Sequence, residues 1–279
     1  MPIHDQSYRR YAGERSPQGR AWTVIAAAGI KNMLGKRKFL GLLIVAWLPF
    51  VVRAVQMYIA ANFPQASMLA PSAETFHQFL EQQGVFTFFI TIFTGAGLIS
   101  NDLRANALQI YLSKPLGRLE YISGKFAVLA FFLLLVTWVP ATLLLIIQIV
   151  FAGNLAFLKA NLFLLPAILV ATCIETIVLC MVMLALSSLS KSARFVGIMY
   201  AGVVFFTHAL YGVVVVVTRT TTFSWMSLQG NLLHLGDLVF RVPPRYDTPA
   251  WATIVALAAI VGAAAFVLER RVRGVEVVT

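Results

Sequence analysis

Glu175 and Arg53 are the charged side chains that stand deepest inside the apolar runs of this sequence. Glu175 lies in LLPAILVATCIETIVLCMVMLALSSL and Arg53 in FLGLLIVAWLPFVVRAVQMYIA. A charge in an apolar medium costs several kcal/mol unless an opposite charge or hydrogen bonds meet it. Such residues are therefore candidates for substrate passage or gating. A structural reading stands beside that one: Arg53 and Glu175 could neutralise each other, or Arg53 could snorkel to an interface. Gln148, Thr172, Thr207 and His208 are further polar groups in apolar runs, able to line a path or to bond between helices.

Other chemistry is sparse. The four histidines (His4, His77, His208, His234) fall in unrelated segments, and no H-E-x-x-H, G-x-S-x-G or paired carboxylates occur within an apolar run. A membrane-embedded hydrolase would need a nucleophile with its base, or clustered ligands. Cys173 and Cys180 are seven apart, about 10 Å along a helix axis, too far to pair with each other. Met181 and Met183, beside Cys180, point to different faces, so no metal site is expected. GRLEYISGK at 117–125 has six residues between its glycines where a phosphate loop has four, and Phe126 where Ser or Thr would hold magnesium.

The elements that must position these residues are membrane-spanning helices. Hydrophobic residues make up 59% of 279 positions and charged residues 12%, in runs far longer than a globular core helix uses. The reading is an all-α integral membrane protein with six spans, about 39–61, 85–103, 126–152, 162–189, 195–218 and 249–268. The second is the shortest, its uncharged run from Val85 to Ser100 interrupted by Gly95 and Gly97. Pro140 and Pro166 are expected to kink their helices. Seventeen Lys and Arg lie before the first span, in the 101–125 and 190–194 loops and in the tail, against four in the alternate loops. Both termini are therefore expected in the cytoplasm. The net charge of +11 reads as this topology signal and as affinity for anionic membrane lipids, with no nucleic-acid partner.

Residues 1–20 read as a basic cytoplasmic arm, 39–268 as the transmembrane domain and 269–279 as a cytoplasmic tail. Between arm and first span, Trp22, Ile25, Ala26, Gly29, Ile30, Met33 and Leu34 recur at helical spacing. An amphipathic interfacial helix over 21–38 is expected, with an early start to one long bent span as the alternative. The 62–84 loop, without a basic residue, reads as a short external excursion. In 224–240, Trp225, Leu228, Leu232, Leu235 and Val239 form a helical stripe too short and polar to span. It predicts an external helix before the last span, ended by Pro243 and Pro244.

The 101–125 loop is polar and basic. Asn101 or Asp102 can cap a helix, and Leu103, Ala107, Ile110 and Tyr111 follow on one face, with Arg104 and Gln109 elsewhere. Lys114 before Pro115 ends that helix, and a second short one over Leu116–Lys125 leads into the third span. From physics alone the 101–113 helix is either a linker or an element that carries a push from a docked partner into the membrane.

The run GAGLISNDLRANALQIYLSKPLGRLEYISGKF at 95–126 resembles the signature region of ABC type-2 permeases, the membrane subunits of ABC exporters. Asp102, Ser113, Pro115, Arg118, Tyr121, Gly124 and Lys125 match the family's pattern, and the whole six-span plan is similar. The resemblance implies that two permease chains, identical or related, pair in the bacterial inner or plasma membrane and that each binds a cytosolic ABC ATPase. ATP and magnesium would sit in that partner, with no cofactor in this chain and no catalysis of its own. The 101–113 helix would be the coupling helix, with Asp102, Leu103, Arg104, Ala107, Ile110, Tyr111, Ser113, Pro115 and Arg118 at the ATPase contact. Arg53, Gln148, Glu175 and His208 would be candidates for the translocation path. Beside this reading stand a channel or carrier working alone, which the scarcity of buried ionisable groups disfavours, and a membrane-embedded enzyme. The cargo is not readable, although an interior with few fixed charges suits hydrophobic or amphipathic molecules.

Overall fold

The computed structural model describes residues 21–63, 65, 71–107, 117–153 and 156–272. Among these residues every regular element is helical, and six helical segments are long and apolar enough to cross a membrane: Arg37–Asn62, Ala73–Arg104, Arg118–Ala152, Leu164–Leu189, Ala193–Thr218 and Ala250–Arg271. Apolar side chains point outward in numbers no water-soluble surface carries, among them Ile44, Phe206, Val217 and Trp251, each more than 65% exposed. Such faces mark contact with lipid or with another protein.

α1 (Ala21–Leu34) is a separate helix, divided from α2 (Arg37–Ala46) at Gly35–Lys36. It ends earlier than the expected 38 and packs along the third span. A Cβ on Gly29 would lie 2.4 Å from Val128, and one on Gly124 would lie 2.8 Å from Ile25 and 3.0 Å from the Trp22 carbonyl. Small residues let the two backbones approach. The first span bends at Trp47 between α2 and α3 (Leu48–Asn62), because Pro49 has no N–H to continue the ladder. Gln83 of the next span donates its Nε2 to the Ala46 carbonyl at this bend (3.1 Å).

The second span is where the sequence reading needs most correction. It begins at Ala73, twelve residues before the expected Val85, as α4 (Ala73–Ile90). The polar run HQFLEQQG is helix, started where the Ser72 N–H donates to the Thr75 hydroxyl (3.1 Å). A π-helical segment, Thr91–Gly95, joins α4 to α5 (Ala96–Arg104). Just past it, Ser187 of the fourth span bonds the backbone of α5. Its Oγ accepts from the N–H groups of Ile99 (3.1 Å) and Ser100 (3.0 Å) and donates to the Ala96 carbonyl (3.0 Å). Gly95 lets Met183 of the fourth span approach, since a Cβ there would sit 2.3 Å from Met183 Cγ.

The third span joins α6 (Arg118–Val136) to α7 (Trp138–Ala152) across a bend at Thr137, three residues before Pro140. The expected short helix before it is continuous with the span. After α8 (Ala156–Ala160), α9 (Leu164–Leu189) forms the fourth span. Pro166 lies in its first turn, where proline is tolerated, so no kink arises there. α10 (Ala193–Thr218) is the fifth span and α12 (Ala250–Arg271) the sixth. Between them, α11 (Leu228–Val239) is capped where the Ser227 hydroxyl accepts from Gly230 N–H (3.0 Å). It is tucked into the bundle, with Leu228, Asn231, His234, Leu235 and Asp237 all buried.

Candidate functional site

Span two carries an ion-paired cluster near each end. At its C-terminal end Asp102 Oδ2 lies 2.7 Å from Lys125 Nζ and accepts from the Tyr121 hydroxyl at 2.7 Å. Lys125 also stands over the Tyr121 ring, 5.3 Å from its centroid. Asp102 closes α5 while Tyr121 and Lys125 lie one turn apart on α6, so the cluster ties the two spans together on either side of residues 105–117. Gly124, on the same turn, receives α1.

The expected coupling helix is divided between two environments. Residues 101–104 finish α5 rather than starting a new helix, and the chain turns at Ala105 and Asn106, whose φ is +52°. Asn is among the residues that tolerate this left-handed conformation. Leu103 packs against the bundle core, Arg104 is exposed and Ala107 is half-buried. The helix expected to run from Asp102 is therefore interrupted between Arg104 and Ala107. Ile110, Tyr111, Ser113 and Pro115 lie outside the described residues, and Arg118 is exposed in the first turn of α6.

Near the N-terminal end of span two, His77 and Glu81 are one turn apart on α4 and face α11. His77 Nε2 lies 2.8 Å from Asp237 Oδ1. Arg245, from the segment after α11, donates Nε to Asp237 Oδ2 (3.0 Å) and Nη2 to Oδ1 (2.9 Å), and its backbone N–H also reaches Oδ2 (3.1 Å). Its guanidinium forms a second ion pair with Glu81. Burial raises the Asp237 carboxyl, but the hydrogen bonds from Arg245 and His77 outweigh it and hold the group below its ordinary value. Glu81 and then Asp237 push the Arg245 guanidinium upward, against its own partial burial. His77 stacks on Phe240 at 5.4 Å, and Gly236 makes room for the ring, since a Cβ there would be 2.4 Å from His77 Cε1.

Beside this clamp, α4, α9, α10 and α11 line a half-open cavity of about 380 Å³. Its lining is mostly apolar and aromatic, with Glu175, Glu81, His77 and Tyr200 as its ionisable groups. Glu175 lies about 17 Å along α9 from Leu164 and about 21 Å from Leu189. Its Oε1 accepts from the Thr87 hydroxyl at 3.2 Å.

Of the four expected path residues, Glu175 alone lines this cavity. Arg53 donates to Gln56 (3.3 Å) and Gln78 (3.4 Å), so the possible Arg53–Glu175 pair is not formed. Gln148 is buried in α7, and His208 Nδ1 stands 3.4 Å from the Ser227 hydroxyl. His77, Glu81, Asp237 and Arg245 were not singled out from sequence. The signal was present in Phe76, His77, Phe79, Leu80, Glu81 and Gln83, whose spacing is that of a helix. Among the described residues no three His, Cys, Asp or Glu side chains gather as metal ligands would. No protein-family model matches the chain, and no curated protein matches it.

Proposed function

We propose that the chain is the transmembrane permease subunit of an ATP-driven transporter of the ABC type-2 kind, acting in export. It works with a second copy of itself or a related permease and with a separate cytosolic ATPase docked on the 101–125 loop. In this reading both termini are cytoplasmic, in a bacterial inner or plasma membrane, and ATP and magnesium belong to the ATPase. The observation that carries it is the Asp102–Tyr121–Lys125 cluster. It fastens spans two and three where they flank residues 108–116, so a displacement of that segment moves two spans and, through Gly124, α1. The matched residues Asp102, Tyr121, Gly124 and Lys125 thereby acquire physical reasons for their types.

Replacing Ile110 and Tyr111 together by Asp places unpaired charges in a desolvated contact, at a cost of several kcal/mol. The expected outcome is a normally inserted permease that no longer retains its ATPase through purification. Full retention with coupled transport would reject docking at this loop. Glu175 in its cavity favours a second reading, a carrier driven by an ion gradient. Gradient-driven uptake into liposomes holding this chain alone would establish that reading over the first.

A further inference from the structure

We propose that the cavity between α4, α9, α10 and α11 binds a lipophilic organic monocation, with Glu175 as its counter-ion. This deepens the transport reading by giving it a class of cargo, and in that respect rests on it.

The first consideration is size and character. A cavity of about 380 Å³ falls in the range of small-molecule sites, which are apolar with a few placed polar groups. The second is charge. Glu175 is bonded to a neutral hydroxyl, that of Thr87, and among the described residues no Lys or Arg lines the cavity. Arg53 is held by two glutamines, and Arg245 is held by Asp237 and Glu81. The clamp at the cavity's edge sets the Asp237 and Glu81 carboxylates against the Arg245 guanidinium, so Arg245 is already engaged there. A carboxylate in an apolar wall binds a cation strongly because neither charge is well solvated there.

The third consideration is the aromatic wall. Phe88 stacks on Tyr200 at 5.6 Å and meets Phe205 edge-on at 5.4 Å, and all three line the cavity with Glu175. Ring faces attract organic cations, the more so when water is excluded. The same composition disfavours the alternatives. Anions meet like charge, metal ions find Glu175 and a Glu81 carboxylate already paired with Arg245 where they need about six oxygens, and sugars find few hydrogen-bonding groups.

The probe is tetraphenylphosphonium, with tetraphenylborate as an anion of nearly the same shape. Binding is measured on the purified full chain in lipid nanodiscs, without an ATPase. We expect saturable phosphonium binding that tetraphenylborate does not displace, weakened roughly tenfold or more in Glu175→Gln and largely restored in Glu175→Asp. Thermal unfolding checks that Glu175→Gln is folded. Gly84→Leu supplies a variant that leaves every charge in place, because nothing lies within 4 Å of a Cβ at Gly84. The added side chain should fill the cavity and weaken binding comparably. Absence of saturable binding, or equal binding by wild type and both variants, overturns the site. A chain that binds phosphonium but retains no ATPase keeps this site and loses the permease reading; the opposite pair of results does the reverse.

Discussion

The two ion-paired clusters of span two differ in reach. The clamp joins His77 and Glu81 to Asp237 and Arg245, groups about 160 residues away in the chain, whereas Asp102 meets Tyr121 and Lys125 within 23 residues. Along the helix, Glu81 and Asp102 are about 32 Å apart, close to the roughly 30 Å of a bilayer's hydrocarbon core. Each cluster therefore sits where a span leaves the apolar layer, and Glu175 lies between those depths. The clamp braces three segments of the fold against one another. The Asp102 cluster fixes a local junction beside the turn at Ala105 and Asn106, joining two spans that are neighbours in the chain.

The sharpest way to break this comparison is to remove the centre of the clamp. Asp237→Ala leaves Arg245 and His77 facing a vacancy, and unfolding in mild detergent should show a loss on the order of 3 kcal/mol or more. The pH dependence has a definite sign. Because the folded Asp237 carboxyl lies below its ordinary value of 3.8, its stabilisation is fully present well above pH 3.8. It is lost as the pH falls below that value and through the folded one. Asp237→Asn should flatten that acid limb.

A middle-sized effect should come from the α1 contact that backs the Asp102 cluster. Gly29→Leu overfills the space against Val128, with an expected cost of about 1–3 kcal/mol. Gly41 meets nothing within 4 Å, so Gly41→Ala should be neutral or gain up to about 1 kcal/mol from helix propensity. Opposite signs in thermal unfolding separate a packing glycine from an idle one. Asp102→Asn should cost much less stability than Asp237→Ala, about 1 kcal/mol, and under the proposed permease function strongly reduce ATPase retention. Equal destabilisation by Asp237→Ala and Asp102→Asn would erase the distinction between brace and junction.

The six spans were legible because twenty or so apolar residues in helical register leave few alternatives. Gly124 and Asp102 were legible as a pattern but not as contacts, since their partners lie on neighbouring helices. The early start of span two was missed for a physical reason: His77, Glu81 and Gln83 look like loop residues until Asp237, Arg245 and the Ala46 carbonyl are supplied. Pro166 misled because proline's effect depends on which turn it occupies. The left-handed Asn106 breaks the helix after Arg104, a turn that periodicity alone did not reveal. Glu175 was legible as a carboxylate within an apolar run, but its neighbours come from three other helices, and no local pattern specifies them.

The π segment at Thr91–Gly95 gives span two a phase slip. One extra residue in a turn displaces the helical count by about 100°, so the face that carries His77 and Glu81 and the face that carries Asp102 keep separate clocks. Such a slip resembles a dislocation in a crystal: it offsets the register by one peptide while the lattice on either side stays intact. Ser187, bonded to the Ala96 carbonyl and to the Ile99 and Ser100 N–H groups just past the slip, fastens span two to span four there.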